Sequence, residues 1–186
     1  SGCRVDNVYL ASVANAQVTQ KIIDLIEQSM KTKLVQLTTL AELNGLRNGY
    51  SVYSQLGVDR WLTLLAAYDM AEQDVMIVDA GSAITIDLLS RKKGHLGGAI
   101  LPGFQTDRSR FVQLFPGVDF DHSAIDKTDV PGLSTMDCLH LTHFPMTVPL
   151  INQLLQDWQR WLERPVSVFL CGQDAGQIAG QLALNH

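Results

Sequence analysis

The chain has 186 residues, 46% hydrophobic and only 18% charged. That composition fits one ordinary domain or two small ones sharing a core, and it excludes a disordered tail or a solvated coiled coil. Lys and Arg number 14 against 19 Asp and Glu, a net charge of -5, so there is no basic field to hold nucleic acid or anionic lipid. Cys3, Cys138 and Cys171 are odd in number and have no close pair, which does not read as a secreted disulfide framework. No apolar run approaches the ~18 residues of a membrane span, and no signal peptide is visible. The chain opens on Ser1-Gly2 rather than Met. The expectation is a soluble cytoplasmic protein, represented in part.

Asn7 to Val13 reads as a strand, and Asn15 to Met30, with Val18, Ile22, Ile23, Leu25 and Ile26, as a helix. Leu34 to Leu37 is a second strand. Asn44-Gly45 and Asn48-Gly49 mark a loop. Trp61, Leu64, Leu65 and Tyr68 recur on one face and predict a helix from Arg60 to Glu72, with Asp59 placed as its N-cap. A boundary is expected near Gln73-Asp74.

Val75 to Val78 is a continuous apolar run ending at Asp79-Ala80-Gly81, and Ala83 to Leu89 alternates as a strand does. Arg91 to Gly94 turns the chain and His95 to Leu101 returns it, which predicts a hairpin. Pro102-Gly103 breaks it. Helices are expected over Phe104 to Phe115, Thr135 to Thr142 and Val148 to Leu162, with a long polar loop from Pro116 to Pro131. Val166 to Leu170 is a last strand, and Gly172-Gln173-Asp174 turns into a last helix. Interleaved helices and strands with one hairpin predict an α/β fold with mixed sheets, not a purely parallel doubly wound one.

Asp79-Ala80-Gly81-Ser82-Ala83-Ile84-Thr85-Ile86-Asp87 brings a carboxylate from a buried strand into a Gly turn followed by a hydroxyl. Such a turn can donate N–H and O–H groups to phosphate, with the carboxylate holding a neutralising cation; it can equally be a tight hairpin entry capped by its Asp. Gly57-Val58-Asp59-Arg60-Trp61 sets an acid beside an Arg, suited to orienting a hydroxyl and gripping an anion, or to capping a helix. The glycines between Gly94 and Gly103 match no dinucleotide fingerprint and are expected to serve hairpin packing. Cys138-x-His140-x-x-His143 has metal-ligand spacing but lacks a second pair of ligands, so solvated histidines are expected. Cys171 is expected to pack as a small hydrophobe. No Gly-x-Ser-x-Gly elbow occurs.

In order along the chain, these segments resemble the type III pantothenate kinase (Bvg accessory factor) family. Tyr50 with Leu56-Gly57-Val58-Asp59-Arg60-Trp61 resembles its substrate motif, and Asp79 to Asp87 its second phosphate motif. Gly97-Gly98-Ala99-Ile100-Leu101-Pro102-Gly103 resembles its hairpin-to-helix turn. Gly132-Leu133-Ser134-Thr135 resembles a later substrate-side motif, and Cys171-Gly172-Gln173-Asp174-Ala175 its terminal turn.

The resemblance implies duplicated ribonuclease H-like domains of the acetate and sugar kinase/Hsp70/actin superfamily. Residues 1–73 would be the C-terminal part of an incomplete first domain, and 74–186 the second. It implies ATP-dependent phosphorylation of pantothenate in a cytoplasmic homodimer, with Mg2+ and a monovalent cation, K+ or NH4+. Asp59 would be the catalytic carboxylate. Tyr50, Gly57, Val58, Arg60 and Thr135 would contact substrate, Gly81 and Ser82 would contact ATP, and Asp79 would ligate the monovalent cation. The family's Asp-x-Gly-Asn-Thr phosphate loop does not occur in this sequence, so the chain alone is expected to bind ATP poorly. Ser82 stands where the family has Thr, and Tyr53 where it often has Pro. The alternative expectation is a non-catalytic homologue with an accessory or regulatory role.

Overall fold

The computed structural model describes residues 5–30, 32–115, 117, 130–142 and 144–182. The elements, in order, are β1 (Asn7–Leu10), α1 (Ala16–Ser29), β2 (Lys33–Gln36), β3 (Glu42–Leu43), β4 (Leu46–Arg47), a 3-10 turn (Tyr53–Gln55), α2 (Val58–Met70), β5 (Val75–Ala80), β6 (Ala83–Ser90), β7 (Gly94–Pro102), α3 (Phe104–Leu114), α4 (Thr135–Thr142), α5 (Phe144–Leu162), β8 (Ser167–Cys171) and α6 (Ala175–Ala179). The fold is mixed α/β. β1 and β2 pair in parallel around α1, whose N-cap Asn15 accepts from Val18 N–H at 2.9 Å. The principal sheet runs β7-β6-β5-β8, antiparallel except for the parallel β5–β8 pair.

That sheet is covered on both faces. Met76, Val78, Ala80, Ile84, Ile86 and Leu88 face α5 through Val148, Ile151 and Leu155. Val75, Ile77 and Leu89 face α2 through Trp61, Leu64 and Ala67. This is the period-2 alternation of strands with each face given its own helix. Buried Asp74 pairs with half-buried Arg164 at the far end of the sheet, where Asp74 also accepts from Arg91 N–H at 2.9 Å. No helix among the described residues is long and apolar enough to cross a membrane.

Several expectations change. The first strand stops at Leu10, and the expected loop at residues 44–49 contains part of a small hairpin, β3–β4, turning on Asn44-Gly45. The fifth helix starts at Phe144 and runs through Pro149. α2 starts one residue before Asp59, with Gly57 as its N-cap. The first helical bond runs from Trp61 N–H to Gly57 C=O, and the burial of Val58 draws the helix start back to it. Asp59 therefore lies inside the first turn and is not the cap. Of the expected loop at residues 116–131, only 117, 130 and 131 are described.

Candidate active site

The alternation along β5 and β6 decides which polar groups meet α2. Two residues beyond Ile77, Asp79 falls on the α2 side, in register with Thr85 and Cys171. On β6, Asp87 stands opposite Ile77 and Gly98, and Leu89 opposite His95. The α2 face of the sheet is thus apolar at one end and polar at the other, and the polar end meets the first turn of α2.

Arg60 projects from that turn onto Asp87. Its Nε donates to Asp87 Oδ2 at 2.9 Å and its Nη2 to Oδ1 at 2.5 Å, a bidentate pair. Nη1 donates to the Tyr50 hydroxyl at 2.8 Å, and the guanidinium lies 5.5 Å from the Tyr50 ring centre. His95 joins from β7: its Nε2 is 2.9 Å from Asp87 Oδ1, and its Nδ1 accepts from Gly49 N–H at 3.4 Å. An acceptor Nδ1 puts the imidazole proton on Nε2, which donates to the carboxylate. Arg60, Asp87 and His95 are 6%, 3% and 2% exposed, so this is a desolvated network whose members satisfy one another. Burial alone would raise the Asp87 carboxyl pKa. The His95 and Arg60 hydrogen bonds and the Arg60 charge outweigh it and hold that pKa below the ordinary range. Burial likewise works against the Arg60 charge, but Asp87 first and Tyr50 second push its pKa up. Gly98 is required here by close approach: a Cβ would stand 2.1 Å from Ile86 O and 2.7 Å from Asp87 Oδ1.

Asp59 and Asp79 form the exposed side of this assembly. Asp59 is exposed and its Oδ1 accepts from Arg60 N–H at 2.7 Å. Asp79 is half-buried. Burial raises its carboxyl pKa, and the charges of Asp59 and Asp87 add to the rise, against a hydrogen bond with the Cys171 thiol. That thiol is pushed up to about 11 by burial and by Asp79. Cys171 is therefore a thiol partner of Asp79 rather than the plain hydrophobic filler expected. Beyond Asp79, Gly81 and exposed Ser82 make the β5–β6 turn. Gly81 N–H donates to Ala83 C=O at 3.0 Å, and the Ser82 carbonyl accepts from Gly103 N–H at 3.1 Å and Thr106 Oγ1 at 2.6 Å. The terminal turn closes over the same place. Gly172 (φ 91) has no room for a Cβ against Ala80, and Asp174 N–H donates to Ala80 C=O at 3.0 Å. Asp174 Oδ2 is buried with no hydrogen-bond partner among the described residues.

Of the expected site residues, Tyr50 and Arg60 are joined directly, with Gly57 and Val58 at the start of the same helix. Asp59, Asp79, Gly81 and Ser82 flank that group. Thr135 opens α4 and is exposed; Ser134 caps that helix by accepting from Asp137 N–H at 3.1 Å. No hydrogen bond among the described residues joins Thr135 to Asp59 or Asp79. Asp87, the last residue of the expected phosphate motif, and His95, in the returning hairpin strand, are not among the expected site residues. The available signal was a carboxylate on the same strand face as Leu89, which has to find a cation once that face is covered. Among the described residues no three His, Cys, Asp or Glu side chains cluster as a metal site; the His140 side chain and His143 lie outside them.

The site's oxygen donors suit the groups the resemblance implies. A monovalent cation at Asp79 would relieve the repulsion that Asp59 and Asp87 exert on it. Ser82, exposed at a Gly turn, offers a hydroxyl to a phosphate oxygen.

Known proteins give the same direction. The family model for "Type III pantothenate kinase" matches residues 1–157. A type III pantothenate kinase of Ectopseudomonas mendocina is 30% identical over 179 residues, covering 94% of this chain and 72% of the relative. One of Acinetobacter baumannii is 34% identical over 170 residues, covering 91% of this chain and 66% of the relative. A crystal structure from Campylobacter jejuni, of a protein described as a Baf family transcriptional activator, superposes with a TM-score of 0.58. At 22% identity over 97% of this chain and 75% of that one, it shows likeness of fold. The extent of the family match and the identity of these relatives place the chain in the type III pantothenate kinase family.

Proposed function

We propose that the protein transfers the γ-phosphoryl group of ATP to the primary hydroxyl of pantothenate, giving 4'-phosphopantothenate, the first step of coenzyme A biosynthesis. The observation that carries this reading is the exposed Asp59 carboxylate, anchored on the same helical turn as the fixed Arg60–Tyr50 pair and within electrostatic reach of Asp79. Asp59 orients the substrate hydroxyl and takes its proton as the oxygen attacks phosphorus and ADP leaves. Tyr50, Arg60, Gly57 and Val58 hold the substrate beside it, with Thr135 a further contact. Gly81 and Ser82 hold phosphate oxygens, and Asp79 holds K+ or NH4+. ATP with Mg2+ supplies the phosphoryl group and the charge neutralisation it needs. The rest of the chemistry is positioning.

The same reading divides the chain into the C-terminal part of one ribonuclease H-like domain (1–73) and a second such domain (74–186), in a cytoplasmic homodimer. The Asp-x-Gly-Asn-Thr loop does not occur in residues 1–186. The test therefore compares the complete gene product with this 186-residue chain, each assayed for pantothenate phosphorylation in K+ and again in Na+. Turnover by the complete product that requires K+ or NH4+, with weak ATP binding by the shorter chain, is expected. A folded, ATP-binding product with no turnover rejects pantothenate as substrate. Absence of ATP binding by the complete product favours a non-catalytic accessory protein.

A further inference from the structure

We propose that Asp87 and His95 are positioning residues for the acceptor substrate: neither touches it, and together they fix Arg60 and Tyr50 in the one arrangement that binds it. The inference rests on the kinase reading for its substrate, but the geometry that carries it does not.

Arg60 has five N–H groups, and three are committed, two to Asp87 and one to Tyr50. Its charge is already matched by a carboxylate at bidentate distance in a dry site, so it brings a fixed direction rather than a free cation. Tyr50 is held three ways. Its hydroxyl oxygen accepts from Arg60 Nη1, its ring stacks on His95 at 5.7 Å between centres and 21° between planes, and the preceding residue, Gly49, is bonded through its N–H to His95 Nδ1. That oxygen already accepts from a cation, which leaves the Tyr50 hydroxyl proton for a further acceptor. The half-buried Tyr50 is thereby set as a hydrogen-bond donor toward an acceptor oxygen of the substrate. His95 connects the two ends: Nε2–H on Asp87 and Nδ1 on the Gly49 backbone tie the carboxylate that aims Arg60 to the segment that carries Tyr50. Asp87 and His95 are 3% and 2% exposed, beyond the reach of a ligand. A Cβ at position 98 would collide with Asp87 and come within 3.1 Å of Arg60 Nη2, so the fit leaves no slack.

The experiment is steady-state kinetics of the complete gene product and of its Asp87→Asn, His95→Leu and His95→Gln variants. Asp87→Asn and His95→Leu are expected to raise KM for pantothenate roughly tenfold or more while KM for ATP moves less than about twofold. Gln keeps an N–H toward Asp87, so His95→Gln is expected to recover most of the loss. A purely structural role would lower active enzyme without this split. Should Asp87→Asn fail to fold, the two His95 variants decide alone. Wild-type turnover with an unshifted pantothenate KM in the folded variants overturns the positioning role and leaves the kinase reading standing. A wild type that does not phosphorylate pantothenate contradicts the kinase reading instead. Independently of turnover, 15N shifts of the wild-type imidazole are expected to report the Nε2–H tautomer at His95. An Nδ1–H tautomer there overturns the relay whatever the substrate.

Discussion

The strands β5 and β6 show opposite chemistry on their two faces. Toward α5 they present Met76, Val78, Ala80, Ile84, Ile86 and Leu88, an unbroken apolar surface that closes a core. Toward α2 they present Val75, Ile77 and Leu89 and then, further along that face, Asp79 and Asp87. On the first face the hydrophobic effect dominates, because the side chains turned toward α5 are apolar as far as Leu88; buried Ser90, next in that alternation, is met by Arg164. The second face stays folded only because each polar group is answered: Asp87 by Arg60 and His95, and Asp79 by the Cys171 thiol and partial exposure. One face supplies stability at little cost in specificity. The other gives up stability to hold carboxylates where they can do chemistry.

The sharpest way to separate the faces is to remove one anchor from each. Asp87→Ala leaves the Arg60 charge buried without a carboxylate and is expected to cost about 3–5 kcal/mol, read by denaturant unfolding. Its pH dependence has a definite sign. The folded Asp87 pKa lies below its unfolded value, so the wild-type advantage is complete above the ordinary carboxylate pKa of ~3.9 and is lost as pH falls through the folded value. The gap in Tm between wild type and Asp87→Ala should hold steady from neutral pH to about 5 and close only in stronger acid. On the other face, Ile86→Ala removes a fully buried side chain and is expected to cost about 2–5 kcal/mol. The folded protein should keep its KM for pantothenate, and a large KM change would break the division of labour. Asp79→Asn has the smallest expected effect on stability. Burial and the neighbouring carboxylates disfavour the ionised Asp79, so thermal melting should be unchanged or higher, while the proposed cation role of Asp79 predicts a loss of turnover. A Tm lower by more than about 4 °C would show that Asp79 supports the fold.

Much of this contrast could be read from sequence. The alternation of Ala83 to Leu89, the hairpin to β7 and the apolar stripe of Trp61, Leu64, Leu65 and Tyr68 are local patterns, and all three occur in the structure. The pairing of Arg60 with Asp87 is not local: 27 residues separate them, and only the packing of α2 over β6 brings them together. His95 was hidden among glycines, one of which, Gly98, is glycine because a Cβ there would strike the Ile86 carbonyl and the Asp87 carboxylate. The start of α2 was misplaced because Asp is a good N-cap in isolation, whereas the burial of Val58 moves the helix start back to Gly57. The β3–β4 hairpin, with two residues in each strand, is too short to show a period.

Asp59, exposed and attached to a fixed neighbour, is proposed to act in the reaction and not in the fold. Asp59→Asn in the complete gene product tests it most directly, with ATP-dependent phosphorylation of pantothenate and unfolding free energy measured on the same preparation. A stability within about 0.5 kcal/mol of wild type and a kcat lower by roughly a hundredfold or more are expected from that role. Turnover retained in a folded Asp59→Asn protein would contradict it.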